Sequence, residues 1–310
     1  MEPNSLLPVR PAAPRPQFRF GYACIALGAG RTTNHSTVLR NATPARLEAL
    51  IDQNLSELQA ILEYNVDHNI RLFRVGSGVI PFGSHPVNQL PWWDLFRDRL
   101  AAVGAYARRH ELRLSMHPGQ YTVLNSLQPG VVAGAVRDLA YHTRFLDALG
   151  LDSSHKVILH IGGVYGDKAA SLQRFVEVAR TLPPAVLARL AVEHDDRHYT
   201  ALEALTVGEA LGVAVVYDNL HDRLNPSPEP PAAWLPRLAA TWGNDIPKVH
   251  FSSAAAGQRP GAHAYGADPA EFAAFLDLLR PLGPVDVMLE AKGKDLALLA
   301  LAPWLPELKP

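Results

Sequence analysis

Short apolar runs alternate with longer, helix-like runs along most of the chain. The short runs are rich in β-branched residues and nearly continuous in hydrophobicity, which is typical of strands in a parallel sheet covered by helices. Eight such runs lie at 18–26, 70–77, 112–117, 156–161, 189–194, 213–218, 247–252 and 285–290. Helical patterns lie at about 44–68, 91–110, 130–149, 168–181, 200–211, 231–242, 268–280 and 294–302.

This alternation predicts an α/β fold, a (β/α)₈ TIM barrel in a single domain of residues 18–310. Thr43-Pro44 and Asp268-Pro269 each place an N-cap residue before a proline at the first helical position. An open doubly wound sheet is the alternative fold. No Gly-x-Gly-x-x-Gly follows the first strand and no phosphate-loop motif occurs in the sequence, which counts against a nucleotide-binding sheet.

Composition narrows the class of protein. With 48% hydrophobic and 19% charged residues, the chain is expected to be soluble, and no apolar run reaches the roughly 18 residues of a membrane span. Residues 1–17 are rich in proline and are predicted to be a disordered lead-in rather than a signal peptide. The single cysteine, Cys24, excludes an intramolecular disulfide and favours the cytoplasm. A net charge of −1 gives no general basic signature of nucleic-acid binding.

Acidic and histidine side chains mark the ends of the predicted strands. In a barrel of this kind the chemistry lies where the carboxyl ends of the strands meet. The residues at or near these ends are His85, His117, His160, Glu193, Asp218, His221, Lys248, His250, His263 and Glu290. One such residue alone is more simply explained as a buried group bonded to the backbone. A ring of such residues that converge on one mouth is not explained in this way, because unpaired buried charge is unfavourable.

A cluster of divalent metal ions would remove that penalty. Imidazole and carboxylate ligands without a thiolate suit Mn²⁺, Zn²⁺ or Fe²⁺. The ring offers about eight candidate ligands, more than one ion needs, so we expect two or three ions with a bridging carboxylate.

Short segments on or after each predicted strand carry further information. They are GYAC (21–24), RVGSGVIPFGSHP (74–86), LSMHPGQY (114–121), LHIGG (159–163), VEHDD (192–196), YDNLHD (217–222), KVHFSS (248–253) and LEAK (289–292). From about residue 18 to 292 the chain resembles the UV damage endonuclease family, barrel enzymes related to endonuclease IV. The resemblance implies a DNA repair endonuclease that nicks duplex DNA immediately 5′ of UV photoproducts, leaving 3′-hydroxyl and 5′-phosphate ends. Abasic or other distorting lesions are further candidate substrates, and Mn²⁺ is the implied cofactor, with Zn²⁺ or Mg²⁺ as alternatives.

The same resemblance implies a set of metal ligands. His117, His160 and Glu193 would hold one ion. Glu193, Asp218, His250 and Glu290 would hold a second, with Glu193 as the bridge. His221 and His263 would hold a third ion, although Gly261 stands where related abasic endonucleases have an aspartate.

Lys248 has two alternative interpretations within the implied site. Family members carry a carboxylated lysine at the matching position, and such a carbamate could supply the oxygen missing from the third site. An unmodified ammonium beside the cluster is the simpler alternative. Lys248, Glu193 and His250 are the expected catalytic residues.

Recognition of a lesion requires extrusion of the damaged bases from the stack. The resemblance implies that Gln120 and Tyr121 fill the resulting gap, although Tyr121 could equally anchor its own loop. Tyr22 is a further candidate lesion contact, and His85 is a candidate phosphate contact or outer ligand. Candidate phosphate-binding arginines are Arg31, Arg74, Arg197, Arg223 and Arg259. UV-damaged double-stranded DNA is the expected partner, with no obligatory protein partner, so a monomer is expected.

Three other functions remain open at this point. A metal-dependent sugar isomerase or epimerase is the main alternative, because such barrels also place Glu, Asp and His at strand ends. A metal-dependent amidohydrolase would usually carry His-x-His on its first strand, and FRFGYACIA contains no histidine. A non-catalytic damage-binding protein would have no use for a complete ring of ligands.

Overall fold

The computed structural model describes residues 16–305. Within this range eight parallel strands form a closed barrel in the order β1-β10-β9-β8-β7-β6-β5-β4. These strands are β1 (Phe18–Ala23), β4 (Leu72–Val75), β5 (Arg113–Met116), β6 (Val157–His160), β7 (Leu190–Glu193), β8 (Ala214–Asp218), β9 (Lys248–Phe251) and β10 (Val285–Leu289). The predicted (β/α)₈ barrel is therefore confirmed. The predicted lead-in lies outside the described residues, apart from its last two.

Helices pack around the outside of the barrel. They are α1 (Pro44–Asp67), α2 (Trp92–Leu95), α3 (Arg97–Arg109), α4 (Pro129–Ala148), α5 (Lys168–Ala179), α6 (Pro184–Arg189), α7 (Ala201–Leu211), α8 (Asn219–Leu224), α9 (Pro231–Ala240), α10 (Pro269–Leu279) and α11 (Lys294–Leu299). Both predicted N-caps are formed, since the Thr43 and Asp268 side chains accept backbone N–H groups of the first turns of α1 and α10. None of the helices in residues 16–305 is long and apolar enough to span a membrane.

The first predicted strand, 18–26, is shorter than expected. Cys24 has a φ of +71°, a left-handed conformation that an extended strand does not contain. The strand therefore ends at Ala23, and Ile25–Ala26 pairs with Arg31–Thr32 as a small antiparallel ribbon, β2 and β3. The helix predicted at 91–110 is likewise interrupted at Phe96, between α2 and α3.

Apolar residues fill the barrel interior on one side, and charged residues fill it on the other. Ile158, Ala191, Ala214 and Val216 form a cluster with Trp242, separate from the main core. They alternate along their strands with residues of the main core, so they point into the barrel. Elsewhere in the interior, Arg113 Nη1 lies 2.7 Å from Asp286 Oδ2. Charged side chains thus occupy part of the barrel interior below the mouth.

Candidate metal centre

Histidine and acidic side chains meet where the barrel strands end. Their potential ligand atoms lie within 4.8 Å of one another in three sets. The sets are His117, His160 and Glu193; Glu193, Asp218 and His221; and Asp218, His250 and Glu290. Because consecutive sets share Glu193 and then Asp218, they form a continuous chain of three potential metal positions. Carboxylate bridging is the arrangement expected of a multinuclear centre.

Glu193, the last residue of β7, lies at the middle of this chain. Its Oε2 is 2.9 Å from His117 Nε2 and 3.6 Å from His160 Nε2. Its Oε1 is 2.8 Å from His250 Nδ1 and 3.7 Å from His221 Nδ1. Although burial opposes it, the surrounding imidazoles, His250 first, hold the pKa of Glu193 well below its usual range. Glu193 is therefore a carboxylate, as a bridging ligand must be.

Asp218 ends β8 and also caps the helix that follows. Its Oδ1 accepts the backbone N–H groups of Leu220 and His221, at 2.8 Å and 2.9 Å. Its Oδ2 is buried and has no hydrogen-bond partner among the described residues. The cap fixes the direction of the carboxylate through Oδ1 and leaves Oδ2 available as a ligand atom.

His250 offers a second buried atom of this kind. Its Nδ1 lies 2.8 Å from Glu193 Oε1 and 3.1 Å from Glu290 Oε1, whereas its Nε2 has no partner within residues 16–305. Buried polar atoms of a folded protein are rarely left without a partner. Asp218 and His250 each keep one buried atom without a partner, and they belong to one set that offers nitrogen and oxygen ligands to a divalent ion.

The His194 main chain orients two of the histidines. The Nδ1–H groups of His160 and His221 each donate to the His194 carbonyl oxygen at 3.1 Å, which leaves each Nε2 available. This is the usual way in which outer groups orient metal-binding imidazoles. The His194 side chain is buried, which lowers its pKa to about 3, and its Nε2 accepts the Asp218 backbone N–H. Its position directly after Glu193 was the only sequence signal for this role.

The local field strongly favours the charged form of His221. Burial lowers its pKa, but the Asp218, Glu193 and Glu290 carboxylates outweigh burial and raise it to about 9. In the absence of a metal, His221 therefore carries the positive charge that partly balances the carboxylates.

The expected grouping of His221 with His263 is not what the structure shows. His221 belongs with Glu193 and Asp218, and His263 is in none of the three sets. The His263 ring Nδ1–H instead donates to the Glu290 backbone carbonyl, and its Nδ1 is 3.9 Å from Glu290 Oε2. Both histidines nevertheless line the same cleft of about 440 Å³ at the mouth.

Lys248 lies below the mouth rather than at it. It is the first residue of β9, two residues before His250, and it is buried. Burial, with the Arg113 guanidinium nearby, holds the pKa of Lys248 well below its usual range, and its Nζ has no partner among the described residues. Burial and the neighbouring guanidinium groups outweigh the Asp286 carboxylate, so the surroundings disfavour the ammonium expected as the simpler alternative.

Tyr22 is not a lesion contact in this structure, contrary to the expectation from sequence. Its side chain is 0% exposed, its hydroxyl donates to Asn65 Oδ1 at 2.7 Å, and its ring packs edge-on against Phe73. Tyr22 belongs to the core between the barrel and α1, because its position in β1 faces the helices. Proximity to a strand end did not determine which side of the strand it occupies.

Gln120 and Tyr121 do lie at the rim. The Thr122 backbone N–H donates to the Gly119 carbonyl at 2.9 Å, so a tight turn places Gln120 and Tyr121 at its two central positions. Both are exposed, Tyr121 to 71%. His85 is also exposed, in the loop after β4, and belongs to none of the three ligand sets.

The five candidate phosphate-binding arginines lie in three different surroundings. Arg74 is largely buried and forms an ion pair with Glu290, a member of a ligand set, so its guanidinium is directed at the cluster rather than at the rim. Arg31 and Arg223 form ion pairs with Glu57 and Glu271. Arg197 and Arg259 line the cleft at the mouth. Arg74 instead stabilises the charge of a candidate ligand, a role that its sequence position did not indicate.

Comparison with known proteins gives a consistent family. A model of the family described as UV-endonuclease UvdE matches residues 18–309. The UV DNA damage endonuclease of Clostridium perfringens (strain 13 / Type A) is 35% identical over 283 residues, covering 90% of this chain and 68% of that protein. The enzyme of the same name from Bacillus cereus (strain Q1) is 33% identical over 292 residues, covering 91% and 92%.

Solved structures extend this result to the fold. The crystal structure of SacUVDE has a TM-score of 0.89 and 33% identity, covering 94% of this chain and 99% of that one. Endonuclease IV from Thermus thermophilus has a TM-score of 0.57 at 16% identity, with 93% and 99% covered. An L-ribulose 3-epimerase has a TM-score of 0.51 at 20% identity, with 76% of each chain covered. The last two likenesses show a common barrel fold alone, so the epimerase likeness does not support a sugar substrate.

Proposed function

This chain belongs to the UV-endonuclease UvdE family, and from that premise we propose that it is a metal-dependent phosphodiesterase that nicks duplex DNA immediately 5′ of UV photoproducts. The family supports the general activity, a DNA repair endonuclease. The cut position, the 3′-hydroxyl and 5′-phosphate products and the requirement for metal are our proposals. Mn²⁺ is the proposed cofactor, because the family resemblance implies it and imidazole with carboxylate ligands is compatible with it.

The observation that carries the metal proposal is the set of Asp218, His250 and Glu290, whose potential ligand atoms lie within 4.8 Å of one another, with Asp218 Oδ2 buried and without a partner among the described residues. We assign His117, His160 and Glu193 to one ion, Asp218, His250 and Glu290 to another, and His221 with Glu193 and Asp218 to the position between them. When bound, divalent ions there would polarise the scissile phosphodiester, acidify a water and stabilise the leaving oxygen.

The protein's own side chains and main chain would hold the ions and orient the ligands around them. Glu193 would bridge two ions, since candidate ligands lie beside each of its oxygens, and Arg74 balances the charge of Glu290. The His194 carbonyl holds the rings of His160 and His221 with Nε2 directed away from it. No separate general base is assigned to the reaction.

The residues proposed to contact DNA are those exposed at the rim of the barrel mouth. Gln120 and Tyr121 are proposed to enter the stack beside an extruded photoproduct, because both are exposed at the corner of one turn. Arg197 and Arg259 are proposed to contact phosphates, since both line the cleft that contains His221 and His263. His85 is proposed as an outer phosphate contact.

The test is a nicking assay with two plasmid preparations. The metal-free protein is given Mn²⁺, Mg²⁺ or Zn²⁺ and then mixed with supercoiled plasmid that has or has not been irradiated. We expect nicking of irradiated plasmid with Mn²⁺ and little with chelator. Equal nicking of both plasmids would contradict the proposed specificity.

The cut position requires a defined substrate. A duplex with one cyclobutane dimer, labelled in turn at each end, should give a single cut at the 5′ side of the dimer. The product should support extension by a polymerase without prior treatment, which requires a 3′-hydroxyl. A cut on the 3′ side, or an end that must first be repaired, would contradict the proposed reaction.

A further inference from the structure

One face of α4 carries three buried polar side chains that are not among the candidate metal ligands. Asp138, Tyr141 and His142 are spaced so that they share this face of the helix. All three are buried. Buried polar side chains on a helix are expected to have specific partners, because their desolvation is unfavourable without them. Here the partners come from two loops at the mouth of the barrel.

Asp138 bonds to the turn that carries Gln120 and Tyr121. Thr122 Oγ1 donates to Asp138 Oδ2 at 2.7 Å, and both side chains are almost fully buried. Thr122 is also the residue whose backbone N–H closes the turn onto Gly119. One buried residue therefore ends the turn and bonds it to α4, immediately beside the exposed Tyr121.

His142 and Tyr141 bond to the neighbouring loop. His142 Nε2 lies 2.8 Å from Ser77 Oγ, and Ser77 Oγ in turn donates to the His117 carbonyl at 3.1 Å. The Tyr141 hydroxyl donates to the Ser77 carbonyl at 2.8 Å. The segment that leads into the turn is thus held at His117 through Ser77, and the turn itself is held at Thr122 through Asp138.

We propose that the Thr122–Asp138 hydrogen bond is a positioning contact that holds Gln120 and Tyr121 in the orientation that discriminates damaged from undamaged duplex. This inference rests on the proposed function. Hydrogen bonds fix direction more strictly than apolar contacts do, and an exposed tyrosine on a short turn has few contacts of its own to hold it. Thr122 and Asp138 thus act through Tyr121 and have no part in the chemical step.

The test compares Thr122→Val, which keeps the shape but removes the hydroxyl, with Thr122→Ser, which keeps the hydroxyl. We expect Thr122→Val to raise KM for a dimer-containing duplex about fivefold, with kcat and bound metal nearly unchanged. Thr122→Ser should retain most of the parental KM. Thr143→Val is the matched control, because Thr143 is buried on the same helix and its hydroxyl has no partner among the described residues.

A double-mutant cycle separates positioning from general destabilisation. If Thr122 acts through Tyr121, Thr122→Val should have little further effect on KM in a Tyr121→Ala background. Additive effects of the two changes would overturn the inference, as would equal KM increases for Thr122→Val and Thr143→Val. Melting temperatures of all variants show whether each remains folded at the assay temperature.

A measurement without substrate distinguishes this inference from the proposed function. Amide hydrogen exchange of residues 119–122 should be faster in Thr122→Val than in the parent or Thr122→Ser, and elsewhere unchanged. Unchanged exchange in this turn overturns the positioning role even if the parent nicks irradiated DNA. Faster exchange in a protein that nicks irradiated and unirradiated DNA equally supports the contact and contradicts the proposed function instead.

Discussion

Among single residues, Glu193 has imidazole nitrogens of four histidines around its two oxygens, at 2.8, 2.9, 3.6 and 3.7 Å. A neutral side chain at this position would remove the negative charge that faces all four rings. Tyr121 is the opposite case, since its side chain is largely exposed and interacts little with the rest of the fold. The two residues therefore lead to different predictions.

Replacing Glu193 by glutamine should lower nicking of irradiated plasmid about a hundredfold or more, because the charge shared between two ion positions is lost. Binding to dimer-containing duplex should be retained, since Glu193 lies below the rim. Nicking rates and a fluorescence binding titration check the two parts. Nicking at the parental rate would show that the metal assignment is wrong.

Replacing Tyr121 by alanine should reduce the preference for damaged over undamaged duplex about tenfold, since one stacking contact is worth about 1–3 kcal/mol. Metal content should be unchanged. Competition binding with the two duplexes, together with metal analysis of the purified variant, measures both. An unaltered preference would assign Tyr121 to its loop alone.

At the level of elements, each strand has two faces with different tasks. β1 directs Tyr22 toward α1, where its hydroxyl bonds to Asn65, whereas β7 directs Glu193 into the barrel. Helix α4 likewise has a buried face, on which Asp138 and Tyr141 form hydrogen bonds to two loops at the mouth of the barrel. A residue near a strand end is thus structural or functional according to the face it occupies.

Tyr22→Phe tests this division directly. The change removes a buried hydrogen bond to Asn65 and should lower the free energy of unfolding by about 1 kcal/mol. Discrimination between damaged and undamaged duplex should not change. Denaturant unfolding and competition binding are the two measurements, and lost discrimination at parental stability would return Tyr22 to the lesion site.

His155 should make the fold sensitive to acid. Burial lowers its pKa to about 4, and its Nδ1 accepts the backbone N–H of Leu114 in β5. Below about pH 6.5 the unfolded chain binds a proton that native His155 does not take up until about pH 4. Stability should therefore fall by about 1.4 kcal/mol per pH unit across this window from this residue.

The matched variant is His155→Asn, whose side-chain oxygen can accept the same N–H without titrating. Its free energy of unfolding, measured from pH 7 to 4, should depend less steeply on pH than that of the parent. Parallel profiles for the two proteins would show that His155 does not contribute.

On the scale of the whole molecule, closure of the barrel decides what the strand ends can do. It brings Arg74 to Glu290 across 216 residues of sequence and gathers ligands from the ends of β5 to β10 at one mouth. Closure also confines three carboxylates, those of Glu193, Asp218 and Glu290, in a buried space. Bound cations should therefore stabilise the native state as a whole.

Removing metal should lower the melting temperature by about 5 °C when the ion had been present at about a hundred times its dissociation constant. Mn²⁺ added after chelation and dialysis should restore it. Scanning calorimetry of the treated and restored protein gives both values. A melting temperature that is the same with chelator and with Mn²⁺ would contradict a metal centre at this position.

The sequence by itself determined the barrel and most of the residues gathered at its mouth. Strand and helix patterns are local, and parallel strands must present their carboxyl ends together, so His117, His160, Glu193, Asp218 and Glu290 could be predicted from their positions. Only the tertiary structure decided which face Tyr22 occupies, that Arg74 pairs with Glu290, and that Asp138 bonds to Thr122. These outcomes depend on contacts between distant elements, and a pattern read along one strand or helix contains no information about its partner across the fold.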